Sequence, residues 1–183
     1  MEASNSQRNN IFNQSSVHIE PWGPGDLPLL KKLLGDPVMT KYLGGPESDE
    51  QLRSRQARYE RLTESGKGRV FKIIHEATGE AVGSVSYWDS EHHGENIYEM
   101  GWSVLPAFQG QGIASAAVTQ AIARARSENK YRFLHAFPSI ENPSSNALCQ
   151  KTGFTLIQQC EFEYPKGNIM QCNDWRIELA PDR

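Results

Sequence analysis

Val104-Leu105-Pro106-Ala107-Phe108-Gln109-Gly110-Gln111-Gly112-Ile113-Ala114 is the stretch on which the reading of the fold turns. An apolar strand ends in it, a glycine-bearing loop turns, and a helix starts. Glycines at 110 and 112 carry no Cβ to hold a ligand away from the backbone. A helix beginning near Gly112 aims unpaired amides and the positive end of its dipole at that loop, which makes a cradle for a pyrophosphate. Upstream, Ile97 to Leu105 reads as the central strand, with Tyr98, Met100, Trp102 and Val104 on one face and Ile97, Glu99, Gly101 and Ser103 on the other. Downstream, Ala114, Val118, Ala121, Ile122 and Ala125 recur at helical spacing, and Arg124, Arg126 and Lys130 bring positive charge to the negative helix end.

Two better-known phosphate loops do not fit. A P-loop needs Lys and then Ser or Thr after its last glycine, whereas Ile113 and Ala114 follow Gly112. The dinucleotide fingerprint needs a third glycine where Ser115 stands and an acidic residue after the next strand, which is missing. What remains is Gln109-x-x-Gly112-x-Ala114, which resembles the Gln/Arg-x-x-Gly-x-Gly/Ala signature of the GNAT superfamily of N-acetyltransferases. A second element, Asn142-Pro143-Ser144-Ser145-Asn146-Ala147-Leu148-Cys149-Gln150-Lys151-Thr152-Gly153-Phe154, resembles the Asn-x-x-Ser-x-x-x-x-x-Lys-x-Gly-Phe run of the same superfamily, in the same order. Glu99-Met100-Gly101-Trp102 is similar to the strand that precedes the family's cofactor loop. Together they point to the branch of ribosomal-protein N-terminal and small-amine acetyltransferases, over roughly residues 17 to 179.

Length and composition agree with an ordinary globular protein. The 183 residues, 38% apolar and 22% charged, predict one domain over residues 16–183 behind a disordered polar tail at 1–15. Nineteen basic against 22 acidic residues give a net charge of −3, so no global basic field points to nucleic acid or an anionic membrane. Three widely spaced cysteines form neither a disulfide framework nor a zinc pattern and suit a reducing cytosol. The N-terminus lacks the basic start and apolar core of a signal peptide, and no apolar run approaches the about 18 residues of a membrane helix, so a cytoplasmic protein is expected. Homodimerisation is left open.

Along the chain, Val17 to Trp22 reads as a first strand, and Asp26 as the N-cap of a helix bearing Leu27, Leu30 and Leu34, with Gly35 left-handed after its end. Ser48 and Gln51 form a capping-box pattern for a second helix to about Thr63. Val70 to His75 and Ala81 to Trp88 read as a hairpin, followed by a polar loop from Asp89 to Glu95. That loop is better explained by solvation than by metal ligation, so no metal is expected. Phe133 to Phe137 is a strand, Asn142-Pro143 an N-cap and first helical residue, and Phe154 to Tyr164 with Met170 to Leu179 a final hairpin. The class is α/β. The order is similar to the GNAT fold, a mixed, mostly antiparallel sheet flanked by helices, whose central strands splay apart to admit the cofactor.

The resemblance implies transfer of an acetyl group from acetyl-CoA to a primary amine by direct attack in a ternary complex, the acceptor being a small amine or antibiotic, or a protein N-terminus. An ammonium with a pKa of about 10.4 must first lose a proton, which calls for a base. Glu99 is the candidate. The resemblance places pantetheine along Val104 and Leu105, the pyrophosphate at Gln109, Gly110, Gln111, Gly112, Ile113 and Ala114, and a pantetheine contact at Asn142, which is equally an N-cap. Many superfamily members carry a tyrosine acid where this chain has Cys149, so Ser145 is the remaining hydroxyl for a proton relay, and Cys149 as a nucleophile is a rival mechanism. Asp89, Glu91, Glu95 and Glu99 suggest an acidic lip for cationic acceptors. A non-catalytic acyl-CoA sensor is the alternative from a different class.

Overall fold

The computed structural model describes residues 16–180, and the tail expected at 1–15 lies outside them. Seven strands form one sheet in the order β1-β2-β3-β4-β5-β7-β6: β1 (Val17–Pro21), β2 (Gly68–His75), β3 (Glu80–His92), β4 (Glu95–Val104), β5 (Phe133–Ala136), β6 (Thr155–Glu163) and β7 (Ile169–Glu178). Every neighbouring pair is antiparallel except β4 and β5. Four helices complete the structure: α1 (Leu27–Leu34), α2 (Asp49–Glu64), α3 (Ile113–Glu128) and α4 (Pro143–Lys151).

Strand alternation divides the core into two layers. Tyr98, Met100 and Val104 of β4 pack with Ile113, Ala117, Val118, Ala121 and Ile122 of α3, burying the face predicted to be apolar. The other face carries a second cluster in which Leu29, Leu30 and Leu33 of α1 and Leu52 of α2 surround Trp22 and Val70. Small residues on α3 let the helix lie close to the sheet. Its C-terminal end is tied down by Glu128, whose carboxylate accepts hydrogen bonds from Tyr87 and Tyr98, each at 2.7 Å. The capping box of α2 forms as expected: Gln51 N–H donates to Ser48 Oγ at 3.2 Å, and the Gln51 side chain accepts from Ser48 N–H at 2.8 Å.

Three local readings change. The polar run from Asp89 to Glu95 is not a loop, because β3 continues to His92 and β4 starts at Glu95. A two-residue turn, His93 and Gly94 with φ of 52° and 79°, closes the hairpin, and such primed turns match the strand twist. Gly35 is right-handed (φ −91°) and is small for a different reason, since a Cβ there would sit 2.6 Å from the Lys31 carbonyl oxygen. Asp26 precedes α1 without capping it; its carboxylate accepts from Gly23 N–H at 2.7 Å and pairs with Lys72.

Candidate active site

The sheet opens at its one parallel junction. β4 and β5 are in register only at Tyr98↔Leu134 and Glu99↔His135, so from Met100 to Val104 the β4 backbone runs on without β5 beside it. This is the splay that the resemblance implied. Peptide groups on an opened strand edge seek partners, and an extended ligand arm can supply them.

Below the opening, the loop predicted to cradle phosphate is held by its own side chains. Leu105 N–H donates to the Val82 carbonyl at 2.9 Å, and the Gln109 carboxamide donates to the Val104 carbonyl at 2.8 Å. Gln111 reaches back to the Ala107 carbonyl at 3.1 Å. Gly110 (φ 73°) and Gly112 (φ 79°) take left-handed conformations, and a Cβ on Gly110 would meet no atom within 4 Å, so the space above it is open. Gly112 caps α3, its carbonyl accepting the Ala116 amide, and the amides of Ile113, Ala114 and Ser115 precede the first intrahelical bond. No acidic residue stands in that first turn. Gln109 to Ala114 thus form a loop of left-handed glycines leading into helix-start amides with no intrahelical partner, a geometry that an anion such as a pyrophosphate would fit, and Val104 and Leu105 lead into it from the opened strand.

Glu99 stands at the point where the strands part. It is half-buried, paired across β3 with Trp88 and across β5 with His135, and its Oε2 accepts a hydrogen bond from Ser90 Oγ at 3.1 Å. Burial pushes its carboxyl up to about 7, against the opposing hydrogen bonds of Ser90 and Trp88 and the charge of His135. The group is therefore near half-ionised at neutral pH, which suits proton exchange.

The second motif is built as a helix start. Asn142 Oδ1 caps α4, accepting from Ser145 N–H at 3.1 Å and from Ser144 Oγ at 3.0 Å. Ser145 is half-buried in the first turn, and no hydrogen bond links it to Glu99 among the described residues. Cys149 is fully buried, and burial pushes its thiol up to about 12, which leaves too little thiolate for a nucleophile.

The acidic lip is corrected by strand alternation. Asp89 and Glu91 lie on the α3 side of β3, in line with buried Tyr87, and Asp89 pairs with Lys130 at 2.6 Å. Glu95 and Glu99 remain on the catalytic face.

His92, which the sequence reading set aside with the solvated run from Asp89 to Glu95, converges from β3 with His135 of β5 and Asp174 of β7, two residues that sequence reasoning missed. His135 Nδ1 lies 2.6 Å from Asp174 Oδ1, and His92 Nε2 lies 3.0 Å from Asp174 Oδ2. The atoms are those a divalent cation takes, but two ligands about 2.0–2.2 Å from a tetrahedral zinc are about 3.3 Å apart, so the 2.6 Å contact is a hydrogen bond. No local signal announces the cluster, since its members are 39 and 82 positions apart in the pairs they form.

A profile of the acetyltransferase (GNAT) domain matches residues 16–155. The chain belongs to the GNAT acetyltransferase family. Solved GNAT-type structures share its fold. Spermidine N-acetyltransferase from Vibrio cholerae, solved with CoA and spermine, superposes with a TM-score of 0.74 at 17% identity, covering 89% of this chain and 95% of that one. An acetyltransferase from Salmonella typhimurium that modifies the N-terminal serine of a 50S ribosomal subunit protein gives 0.73 at 22% identity, covering 90% and 95%. The yncA protein of Salmonella typhimurium, with its cofactor acetyl-CoA, gives 0.74 at 20% identity, covering 91% and 95%. A sequence search of curated proteins finds no match. No helix among the described residues is long and apolar enough to cross a membrane.

Proposed function

We propose that this acetyltransferase moves the acetyl group of acetyl-CoA to a primary amine in one direct step, with Glu99 as general base. The observation that carries this reading is the position of the half-buried Glu99 carboxyl at the point where β4 and β5 part, where burial raises its proton affinity. Acetyl-CoA supplies the acetyl group as a thioester. The loop from Gln109 to Ala114 would hold its pyrophosphate through backbone amides and the α3 dipole, and the open edge of β4 leading to Val104 and Leu105 would meet its pantetheine arm, the Leu105 amide and Val104 carbonyl themselves being given to Val82 and Gln109. Asn142, already the cap of α4, keeps its amide nitrogen for the same arm.

Glu99 takes the proton of the acceptor ammonium, which frees the nitrogen lone pair for attack. Trp88 and Gly101 form the floor beside it, with a Cβ on Gly101 falling 3.4 Å from the Trp88 ring. Ser145, in the first turn of α4, is the hydroxyl assigned to the departing thiolate. The acceptor is a small amine or a peptide N-terminus, the two classes named for the Vibrio and Salmonella proteins.

Purified protein mixed with acetyl-CoA and a panel of polyamines, small amines and peptides, with free CoA followed over time, tests the reading. Acceptor-dependent CoA release is expected. Tight acetyl-CoA binding with no release for any amine would contradict it, as would an acetylated cysteine formed at the rate of turnover.

A further inference from the structure

A buried carboxylate bridging two imidazoles is more than the sheet needs for its packing. Asp174 is 1% exposed, and His135 is 4% exposed. Burying a carboxylate is costly unless each oxygen is hydrogen-bonded, and here each accepts from one imidazole N–H. Burial raises the Asp174 carboxyl, but the hydrogen bonds and charges of His135 and His92 more than reverse this and hold it below the usual carboxylate range. His92 is held the other way: its own burial lowers it, only partly offset by Asp174, so it is neutral at neutral pH. An aromatic wall closes over the group, with Phe137 stacked on His135 at 5.8 Å and on Phe162 at 4.8 Å.

The cluster stands beside the base. β5 lies between β4 and β7, and His135 is the direct cross-strand partner of Glu99 on one side and bonds Asp174 of β7 on the other. With Nδ1 engaged by Asp174, the other ring nitrogen, Nε2, is the atom of His135 left to exchange a proton with a neighbour.

We propose that the Asp174–His135 pair receives the proton that Glu99 takes from the acceptor, regenerating the Glu99 carboxylate within each turnover. This rests on Glu99 being the base. The bookkeeping of bonds is closed. The ammonium N–H bond breaks as the Glu99 O–H bond forms; that O–H bond then breaks as the His135 Nε2–H bond forms, through one water, since no hydrogen bond joins the two side chains among the described residues. The imidazolium is held against the Asp174 carboxylate until its proton passes to solvent after the products leave. The titratable and charged groups around His135 are Glu99 of β4, His92 of β3, His93 of the adjoining turn, Asp174 and Arg176 of β7, and Cys160 of β6 near Asp174. His135 acts through Glu99, as a positioning residue that takes up its proton.

His135→Gln keeps a donor for Asp174 but cannot accept a proton at neutral pH. The expected result is a 10- to 100-fold fall in kcat, about the low end for a proton-transfer group, with acetyl-CoA affinity unchanged. Asp174→Asn should reduce kcat in the same direction. A second arm compares solvent isotope effects: kcat should fall in D2O for the unmutated protein, and the effect should grow in His135→Gln, where return of the Glu99 proton becomes limiting. Wild-type kcat in His135→Gln, or a solvent isotope effect unchanged there, would overturn the proposal, as would a loss of kcat matched by equal loss of acetyl-CoA affinity. Glu99→Gln measured in parallel separates the two claims: full turnover there sinks the base itself, whereas a defect there and none in His135→Gln sinks the relay alone.

Discussion

The two sides of the β4–β5 opening are built from different materials. The phosphate side uses backbone: two left-handed glycines, a helix N-terminus and glutamine side chains that brace the loop from within. The proton side uses side chains delivered by four strands, Ser90 and His92 from β3, Glu99 from β4, His135 from β5 and Asp174 from β7. A backbone site is encoded in a short run of sequence and tolerates neighbours freely as long as the glycines stay. A side-chain site is encoded in register, and each member depends on partners far away in the chain.

The sharpest way to break this contrast is Gly112→Asp, which puts a side chain on a left-handed residue and a carboxylate where the phosphate would sit, taking the positive end of the α3 dipole for itself and repelling the anion. Acetyl-CoA affinity by calorimetry should fall by about two orders of magnitude or more, the ~3 kcal/mol expected of an unpaired charge at a desolvated anion site. Unchanged affinity in the folded variant would remove the cradle from the account. The proton side should not respond: the same variant should retain the pH inflection of whatever turnover remains.

Gly101→Ala probes the boundary between the two sides. Its added methyl would make ordinary contact with Trp88 at 3.4 Å, so folding should survive, yet it stands on the Glu99 face where the acceptor must pass. The acceptor KM should rise severalfold with acetyl-CoA affinity nearly unchanged. An equal effect on both ligands would move the acceptor path elsewhere.

The smallest effect is expected of Asp89→Asn. Its carboxylate is spent on Lys130 across the α3 face, a pair of a kind that contributes about 0–1 kcal/mol, so acceptor KM and its salt dependence should stay as they are. A marked rise in KM would restore the acidic lip that strand alternation removed.

The same contrast explains what could be read from the sequence. Gly112 at the start of an apolar helical repeat, Ser48 with Gln51, and Asn142 before Pro143 are local patterns, and each forms the structure that its spacing predicts. Glu99 was legible as a strand residue on the less apolar face; its raised proton affinity was not, because that comes from burial beside Trp88, Ser90 and β5. The stretch from Asp89 to Glu95 read as loop because the tip of the hairpin extends past the core and carries polar residues on both faces, which hides a period of two. His92 and Asp174 become neighbours only once β3, β4, β5 and β7 are laid in order.

The most direct test of the central claim is the pH dependence of kcat/KM for wild type and Glu99→Gln with one amine acceptor. Burial raises the Glu99 carboxyl, so its basic form appears only as pH rises through about 7, and wild-type activity should climb through that value. Glu99→Gln should lower turnover at neutral pH by ~10²- to 10⁴-fold, lose the inflection near 7, and recover partly at high pH as the acceptor deprotonates unaided. A Glu99→Gln enzyme with wild-type turnover and the same inflection would contradict the account.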